Sequence, residues 1–523
     1  MCLAAAIDDP SAFHDRNWRR EVIMKRRAFL LGSAAFTLST SKVIAGTTMS
    51  SAKMAGMDMS GAAAESLKRI RKLPVGAPLS ELAKLTNQSN VPAIFEATVE
   101  AGIASHEFMP GLATEVLAYN GSVPGVMIEV SEGDRIKIAF KNRIPDQIST
   151  IHWHGLEIPA DQDGNPTDPV ASGSDRLYEF TIPEGSAGSY WYHPHPHGQT
   201  SEQVYRGLAA PFIVRSKNDP LPPELRDTVL FISSVSLNTD GTIAENTATD
   251  LMNGREGDHV LVNGTKQPVL TLPPGSSRRF RIYNATNGRF LRLGMDGHTM
   301  TLVGTDGGLI VAPIKGLKEL FLAPAERAEV VITFHDTPGN FALKSLPYER
   351  GWMGMDKPAA QSTTIMNFAL VGATVQPIML PEKLRDIVPF GEAKTRKRIE
   401  FSETMGMANG MMMMGFQING KTFDMNRIDL KSRVGEVELW EVFNNSDMDH
   451  PFHIHGTQFQ IVEREKNGNR AAASFLAWKD TVNITARETV RIKLRHTMQG
   501  LRMYHCHILE HEDSGMMGTL DVI

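Results

Sequence analysis

The chain reads as all-β, built from three β-sandwich domains in tandem. Three observations carry this. Glycine and proline are plentiful, at 44 and 29 of 523 residues, which favours turns and short strands over long helices. Apolar and polar residues alternate in strand-like stretches. Ile136, Ile138 and Phe140 interleave with Lys137, Ala139 and Lys141, while Leu439 alternates with Glu438 and Trp440 with Glu441. Period two is the signature of a half-buried strand. Finally, one pattern occurs three times: "YNGSVPGVMIEVSEGDRIKIAFKN" from Tyr119, "VNGTKQPVLTLPPGSSRRFRIYN" from Val262 and "INGKTFDMNRIDLKSRVGEVELWEVFN" from Ile418. Each copy has Asn-Gly, a strand, a glycine turn, and an alternating strand that ends in Asn142, Asn284 or Asn444. The repeat distance is domain-sized, which excludes a solenoid.

In chain order, residues 1–45 form a signal region. From Met24, Lys25, Arg26 and Arg27 precede an apolar run from Ala28 to about Leu38, and Val43-Ile44-Ala45 offers small residues for cleavage. "RRAFL" resembles a twin-arginine signal, which implies export by the twin-arginine machinery to the periplasm. Residues 1–23 lack this pattern, so Met24 reads as an alternative start. The apolar run is shorter than the roughly 20 residues a membrane span needs, so no stable membrane anchor is expected. Residues 46–89 are a Met-rich flexible segment and linker, in which "SLKRIRKLP" is expected to form one short helix.

Domain 1 is then residues 90–216, domain 2 residues 217–373 and domain 3 residues 374–523. The connectors "RSKNDPLPPE" (Arg215–Glu224) and "TVQPIMLPEKLRDIVP" (Thr374–Pro389) mark the joints. A formal net charge of −5 gives no reason to expect nucleic acid as a partner. Cys2 and Cys506 lie at opposite ends of the chain and are not expected to form a structural disulfide.

Chemistry concentrates in four places: "HWHG" (His152, His154), "WYHPHPHG" (His193, His195, His197), "HPFHIHG" (His450, His453, His455) and "MYHCHILEHEDSGMMG" (His505, Cys506, His507, His511, Met516). Eleven of the 17 histidines fall there, far from even scatter. Residues two apart on a strand share a face, so each His-x-His presents two imidazoles side by side. Cys506 must point away from His505 and His507, so one strand joins two metal sites. Cys506, His511 and Met516, with His450 from upstream, make the two-His, one-Cys, weak-Met set of a blue-copper centre. Zinc fits poorly: one cysteine, no Cys-x-x-Cys, and too many imidazoles for a tetrahedral site. The imidazoles on the other face suit several coppers. Because all four clusters lie in domains 1 and 3, that site is expected where these domains meet, with domain 2 as a spacer.

These motifs, in this order, resemble those of the multicopper oxidases, over roughly residues 90–523. "HWHGLE", "HPFHIHGTQF", "WKDTV" and "HCHILEHEDSGMM" look most like the bacterial copper-efflux oxidases and bacterial laccases. The resemblance implies cupredoxin-like Greek-key sandwiches and four copper ions. It assigns His450, Cys506 and His511, with Met516 axial, to type 1 copper, and His152 and His453 to type 2. It assigns His154, His193 and His507 to one type 3 copper, and His195, His455 and His505 to the other. His197 has no ligand role in that pattern. The implied reaction is one-electron oxidation of a reductant coupled to reduction of O2 to water. Cys506 passes the electrons, and Glu512 and Asp163 are implied in proton delivery; the alternative for each carboxylate is orienting a ligand imidazole.

The reductant is expected to be Cu(I), with a role in copper tolerance. Methionine is abundant (27) and clustered: Met49, Met54, Met57 and Met59; Met353 and Met355; Met405, Met407 and Met411 to Met414. Thioethers favour Cu(I). Met448 and Asp447, just before His450, join Met405, Met407 and Met411 as a candidate Cu(I) substrate site. The Met-rich insert is shorter than in the copper-efflux oxidases and has no histidine between Met405 and Gln417, which leaves the His450/His511 edge open to phenols. A laccase-type phenol oxidase and a copper-sequestering protein with incidental oxidase activity are the alternatives.

Overall fold

The structure is a computed structural model; it describes residues 68–523 except 355, 356, 358, 409 and 410, and omits the side chains of 405–413. The signal region, Met49 to Met59 and Cys2 lie outside the described residues. Among the described residues, no helix is long and apolar enough to cross a membrane.

The expected all-β architecture is present as three successive pairs of sheets. Two four-stranded sheets are built from strands running from Ile94–Met109 to Ala210–Arg215. A six-stranded and a five-stranded sheet follow, from Asp227–Val235 to Thr363–Leu370. A second six-plus-five pair runs from Thr395–Ala408 to Met517–Val522. Each pair closes on its own apolar core. Trp153, Tyr192 and Ile138 belong to the first, Phe280, Phe368 and Leu293 to the second, and Trp440, Phe452 and Ile492 to the third. Burial of apolar surface between two sheets is the main driving force for such a layer.

The threefold repeat has a structural reason at both ends. Asn120, Asn263 and Asn419 adopt φ of 51°, 51° and 52°, a region that asparagine tolerates better than most residues. Each side chain accepts a backbone N–H from the strand paired with the one that enters the turn, from Glu100, Phe231 and Glu400 respectively. The closing asparagines are buried, and each donates to two carbonyls: Asn142 to Gln147 and Val170, Asn284 to Arg289 and Leu322, Asn444 to Met448 and Ile484. The last of these fixes the loop that delivers His450.

Two local expectations fail. The segment from Lys68 to Pro74 is extended, not helical: Arg69 bridges Asn238, and Ile70 and Leu73 are buried against Leu237 and Leu261. Tertiary burial outweighs its local helical pattern. Glu438 also departs from the alternation. It is buried, accepting from Trp440 Nε1 at 2.8 Å and pairing with Lys397 at 2.6 Å, so Leu439 and Trp440 are buried on both sides of the strand.

Candidate metal centres

The first centre lies within the third sandwich. Cys506 ends the strand Gly500–Cys506, His450 starts the strand His450–Ile454, and His511 sits on the short helix Leu509–Asp513. All three are fully buried. His450 Nδ1 lies 3.4 Å from Cys506 Sγ and 3.4 Å from His511 Nδ1, and Sγ lies 4.0 Å from His511 Nδ1. The far ring nitrogens are engaged elsewhere. His511 Nε2 donates to the Met252 carbonyl at 3.1 Å, and His450 Nε2 is 3.0 Å from both Glu403 Oε1 and Ser446 Oγ. Two Nδ1 atoms and one thiol sulfur therefore converge. Met516 is buried in the same apolar cluster as Cys506, and its carbonyl accepts the Cys506 N–H. Burial pushes the Cys506 thiol well above its ordinary range, which a bound metal would reverse.

The second centre gathers the histidine pairs of the first and third sandwiches, where they were expected to meet. His152 pairs in register with His193, and His453 with His505. His152 stacks on His455 and His154 on His453, both with ring centroids 3.8 Å apart. His505 Nε2 is 3.2 Å from His195 Nε2 and 3.1 Å from His455 Nε2. His193 Nε2 is 3.4 Å from His154 Nδ1, and the His507 ring centroid is 5.0 Å from that of His154. Burial, then repulsion among the rings, holds His154, His193, His195, His453, His455 and His507 well below their usual pKa, in the neutral form that binds metal. His152 Nε2, His453 Nε2 and both nitrogens of His507 are buried without a hydrogen-bond partner. Such orphaned atoms are rare unless something else satisfies them. Converging imidazole nitrogens of this kind suit copper.

Carboxylates flank this cluster. Asp163 Oδ2 is 3.1 Å from His455 Nδ1 and Asp163 Oδ1 is 3.2 Å from His152 Nδ1. Glu512 lies between His195 (3.5 Å) and His505 (3.3 Å). Burial, with Asp513 and Glu510 beside it, pushes the Glu512 carboxyl well above the usual range.

His197, for which no ligand role was expected, packs edge-on against Phe423. Met448 and Asp447 lie in different surroundings. Met448 is fully buried in the core, whereas the Asp447 carboxylate is 88% exposed and pairs with Arg487 at 2.8 Å. Met405, Met407 and Met411 lie on the hairpin of Thr395–Ala408 and Met411–Ile418, but their side chains lie outside the description. The sequence reading also missed Glu403, Asp480 and Arg327. Asp480 was visible within "WKDTV", but no spacing rule ties it to a histidine more than three hundred residues away.

Two buried centres joined by one Cys506 strand, on tandem β-sandwiches, define a metal-dependent redox protein. Multicopper oxidase family models match residues 102–219, 232–367 and 397–523. The multicopper oxidase mco of Staphylococcus aureus is 34% identical over 443 residues, covering 81% of this chain and 88% of that protein. The Bacillus subtilis (strain 168) laccase is 27% identical over 518 residues, covering 87% and 99%. The solved multicopper oxidase from Campylobacter jejuni, described as a metallo-oxidase, superposes with a TM-score of 0.82 at 43% identity, covering 88% and 98%. The chain belongs to the multicopper oxidase family. It is an oxidoreductase that couples oxidation of a reductant to O2, with cupredoxin-like domains and copper as the cofactor the family implies.

Proposed function

We propose that the reductant is Cu(I), delivered to the His450 edge of the first centre. The observation that carries this is the base of the Met-rich hairpin. Glu403 and Phe416 are cross-strand partners there. Glu403 reaches His450 Nε2, and Phe416 stacks on His511 with centroids 4.0 Å apart. A carboxylate thus marks the entry point, and the methionines extend from it along the same two strands. Met353 and Met414 pack partly buried against the same core. The Campylobacter jejuni structure described as a metallo-oxidase agrees with a metal reductant.

In this reading four coppers bind. His450, Cys506, His511 and Met516 hold type 1, and His152 and His453 hold type 2. His154, His193 and His507 hold one type 3 ion, and His195, His455 and His505 the other. Copper, when bound, supplies the one-electron oxidation and the reduction of O2 to water. The protein supplies the connection and the protons. Cys506 faces the first centre while its neighbours His505 and His507 face the second, so one stretch of backbone spans the two. Glu512, against two ligand rings, holds a proton at the cluster, and Asp163, against two others, lies where it would pass protons to it. The Lys25–Arg27 signal supports twin-arginine export to the periplasm, where a Cu(I) reductant would give the protein a role in copper tolerance.

A phenol oxidase of laccase type is the second reading, favoured by the name of the Bacillus subtilis relative. O2 uptake by the copper-loaded protein, with Cu(I) and a dimethoxyphenol as rival reductants, tests both. A higher kcat/KM for Cu(I) is expected. Faster turnover of the phenol without added copper would make it a laccase. No uptake with either would leave only sequestration.

A further inference from the structure

The cluster is flanked by two aspartates that repeat one another. Asp163 follows the His-x-His of the first sandwich, and its main-chain oxygen accepts from His152 Nδ1 at 3.0 Å while its carboxylate takes His455 Nδ1 at 3.1 Å. Asp480, from the third sandwich, does the same with the opposite pair. Its main-chain oxygen accepts from His453 Nδ1 at 2.9 Å, and its Oδ1 takes His154 Nε2 at 3.1 Å. The ring pairs they hold are the two stacked pairs, each with one histidine from either sandwich. His152 Nε2 and His453 Nε2 are thereby left free, and both are orphaned.

The two aspartates differ in how they are themselves held. Asp163 has one arginine nitrogen, Arg502 Nη1, at 3.6 Å. Asp480 is clamped by both arms of Arg327, at 2.7 and 2.6 Å. Arg327 belongs to the second sandwich. Its Nε donates to the Ser189 carbonyl at 2.8 Å, and its backbone N–H donates to Asp306 at 2.7 Å. Arg327, Asp306 and Asp480 are essentially buried. A Cβ on Gly155 (φ 89°) would strike both the Asp480 carboxylate and the Arg327 guanidinium, so the glycine of "HWHG" makes room for this pair. The glycine of "HIHG", Gly456 (φ 60°), makes room for Arg502 in the same way.

We infer that Asp480, clamped by Arg327, is a positioning residue that sets which nitrogens of His154 and His453 face the cluster. The inference rests on the proposed ligand assignment. It makes the second sandwich, which supplies no ligand, a working part of the cluster through one bidentate ion pair. A carboxylate that orients a ligand imidazole fixes its tautomer and strengthens its metal affinity, and a forked arginine contact is not reproduced by lysine.

The test uses copper-loaded full-length protein carrying Asp480→Ala, Asp480→Asn or Arg327→Lys. Neither residue touches His450, Cys506 or His511, so the blue type 1 absorption reports folding independently. The expected result is an intact blue band with altered type 2 electron paramagnetic resonance. Copper retention at the cluster against a chelator should fall roughly 10- to 100-fold for Asp480→Ala, and less for Asp480→Asn. Wild-type retention and an unchanged type 2 spectrum in all three would overturn the inference. Should the variants fail to fold, histidine 15N resonances of the copper-free wild type decide it. His154 should carry its proton on Nε2 and His453 on Nδ1; the opposite tautomer at His154 would overturn it. Wild type that loads no copper at the cluster sinks the ligand assignment and the inference with it. Wild type that loads copper but does not oxidise Cu(I) sinks only the substrate reading.

Discussion

Glu403 and Phe416 face each other across one hairpin, and each reaches a different histidine of the same centre: Glu403 His450, and Phe416 His511. Glu403 is 13% exposed, so this carboxylate joins a buried imidazole to solvent. Glu403→Gln keeps the shape and removes the charge. It should lower kcat/KM for Cu(I) about tenfold, the scale of one charged hydrogen bond. A neutral phenol should be affected far less. Equal losses for both reductants, in steady-state O2 uptake, would show that Glu403 only supports the site.

Cys506→Ser should abolish the blue colour and reduce turnover to background. The cluster histidines face away from Cys506, so copper bound by them should persist. Visible spectra alongside copper analysis would separate the two centres; loss of all copper would contradict their independence.

Glu512→Gln should lower kcat by roughly a hundredfold, the low end for a positioned proton donor. KM for the reductant should hardly change, because Glu512 lies against His195 and His505, not against His450. A raised KM with unchanged kcat would remove it from the proton path.

The copper-free protein should lose stability in acid. Burial holds the cluster residue His505 down to about 3, against an ordinary 6.5, lowers the other cluster histidines named above, and also holds His496, a buried histidine that is not part of the cluster, down to about 3. The unfolded chain then takes up protons first as pH falls, so stability is full above about 6.5 and drains toward pH 3. Glu510 and Asp513, pushed up to about 7 and about 6 by burial, act in the opposite sense: their contribution is present in acid and is lost as pH rises through 6 to 7. The histidines outnumber them, so Tm by calorimetry should fall from pH 7 to pH 4. A flat or rising Tm on acidification would contradict the buried neutral cluster. Added copper should raise Tm at pH 7 by mass action.

Asn284→Ala should destabilise the chain by about 2 kcal/mol, because the carbonyls of Arg289 and Leu322 lose a buried donor. The change lies in the sandwich without ligands, so the blue absorption should remain. Thermal unfolding checks the first expectation and the visible spectrum the second.

Much of the candidate site was legible because its information is local. A His-x-His on a strand puts both rings on one face whatever else the chain does, and Cys506 between His505 and His507 must face the other way. The threefold Asn-Gly pattern was legible for a similar reason: the turn needs a residue that tolerates positive φ, and Asn120, Asn263 and Asn419 supply it. The Lys68–Pro74 segment was misread because its apolar residues suit either a helix or an extended strap, and only contact with Leu237 and Leu261 decides. The surroundings of Met448 and Asp447 were not legible because both lie in the bend between the strands Glu438–Asn445 and His450–Ile454, where no strand alternation applies, and only the packing sends Met448 into the core and Asp447 out to Arg487.

By itself the sequence determined the all-β class, the repeat and the identity of the histidines and cysteine, since all of these follow from short-range periodicity. Tertiary structure alone decided which ring nitrogens are free, which carboxylates hold them, and that the second sandwich reaches the cluster through Arg327. His154 and Asp480 are 326 residues apart. A hydrogen bond needs its partners within about 3 Å and well aligned, and no local rule places two such distant groups together; only the packing of three sandwiches does.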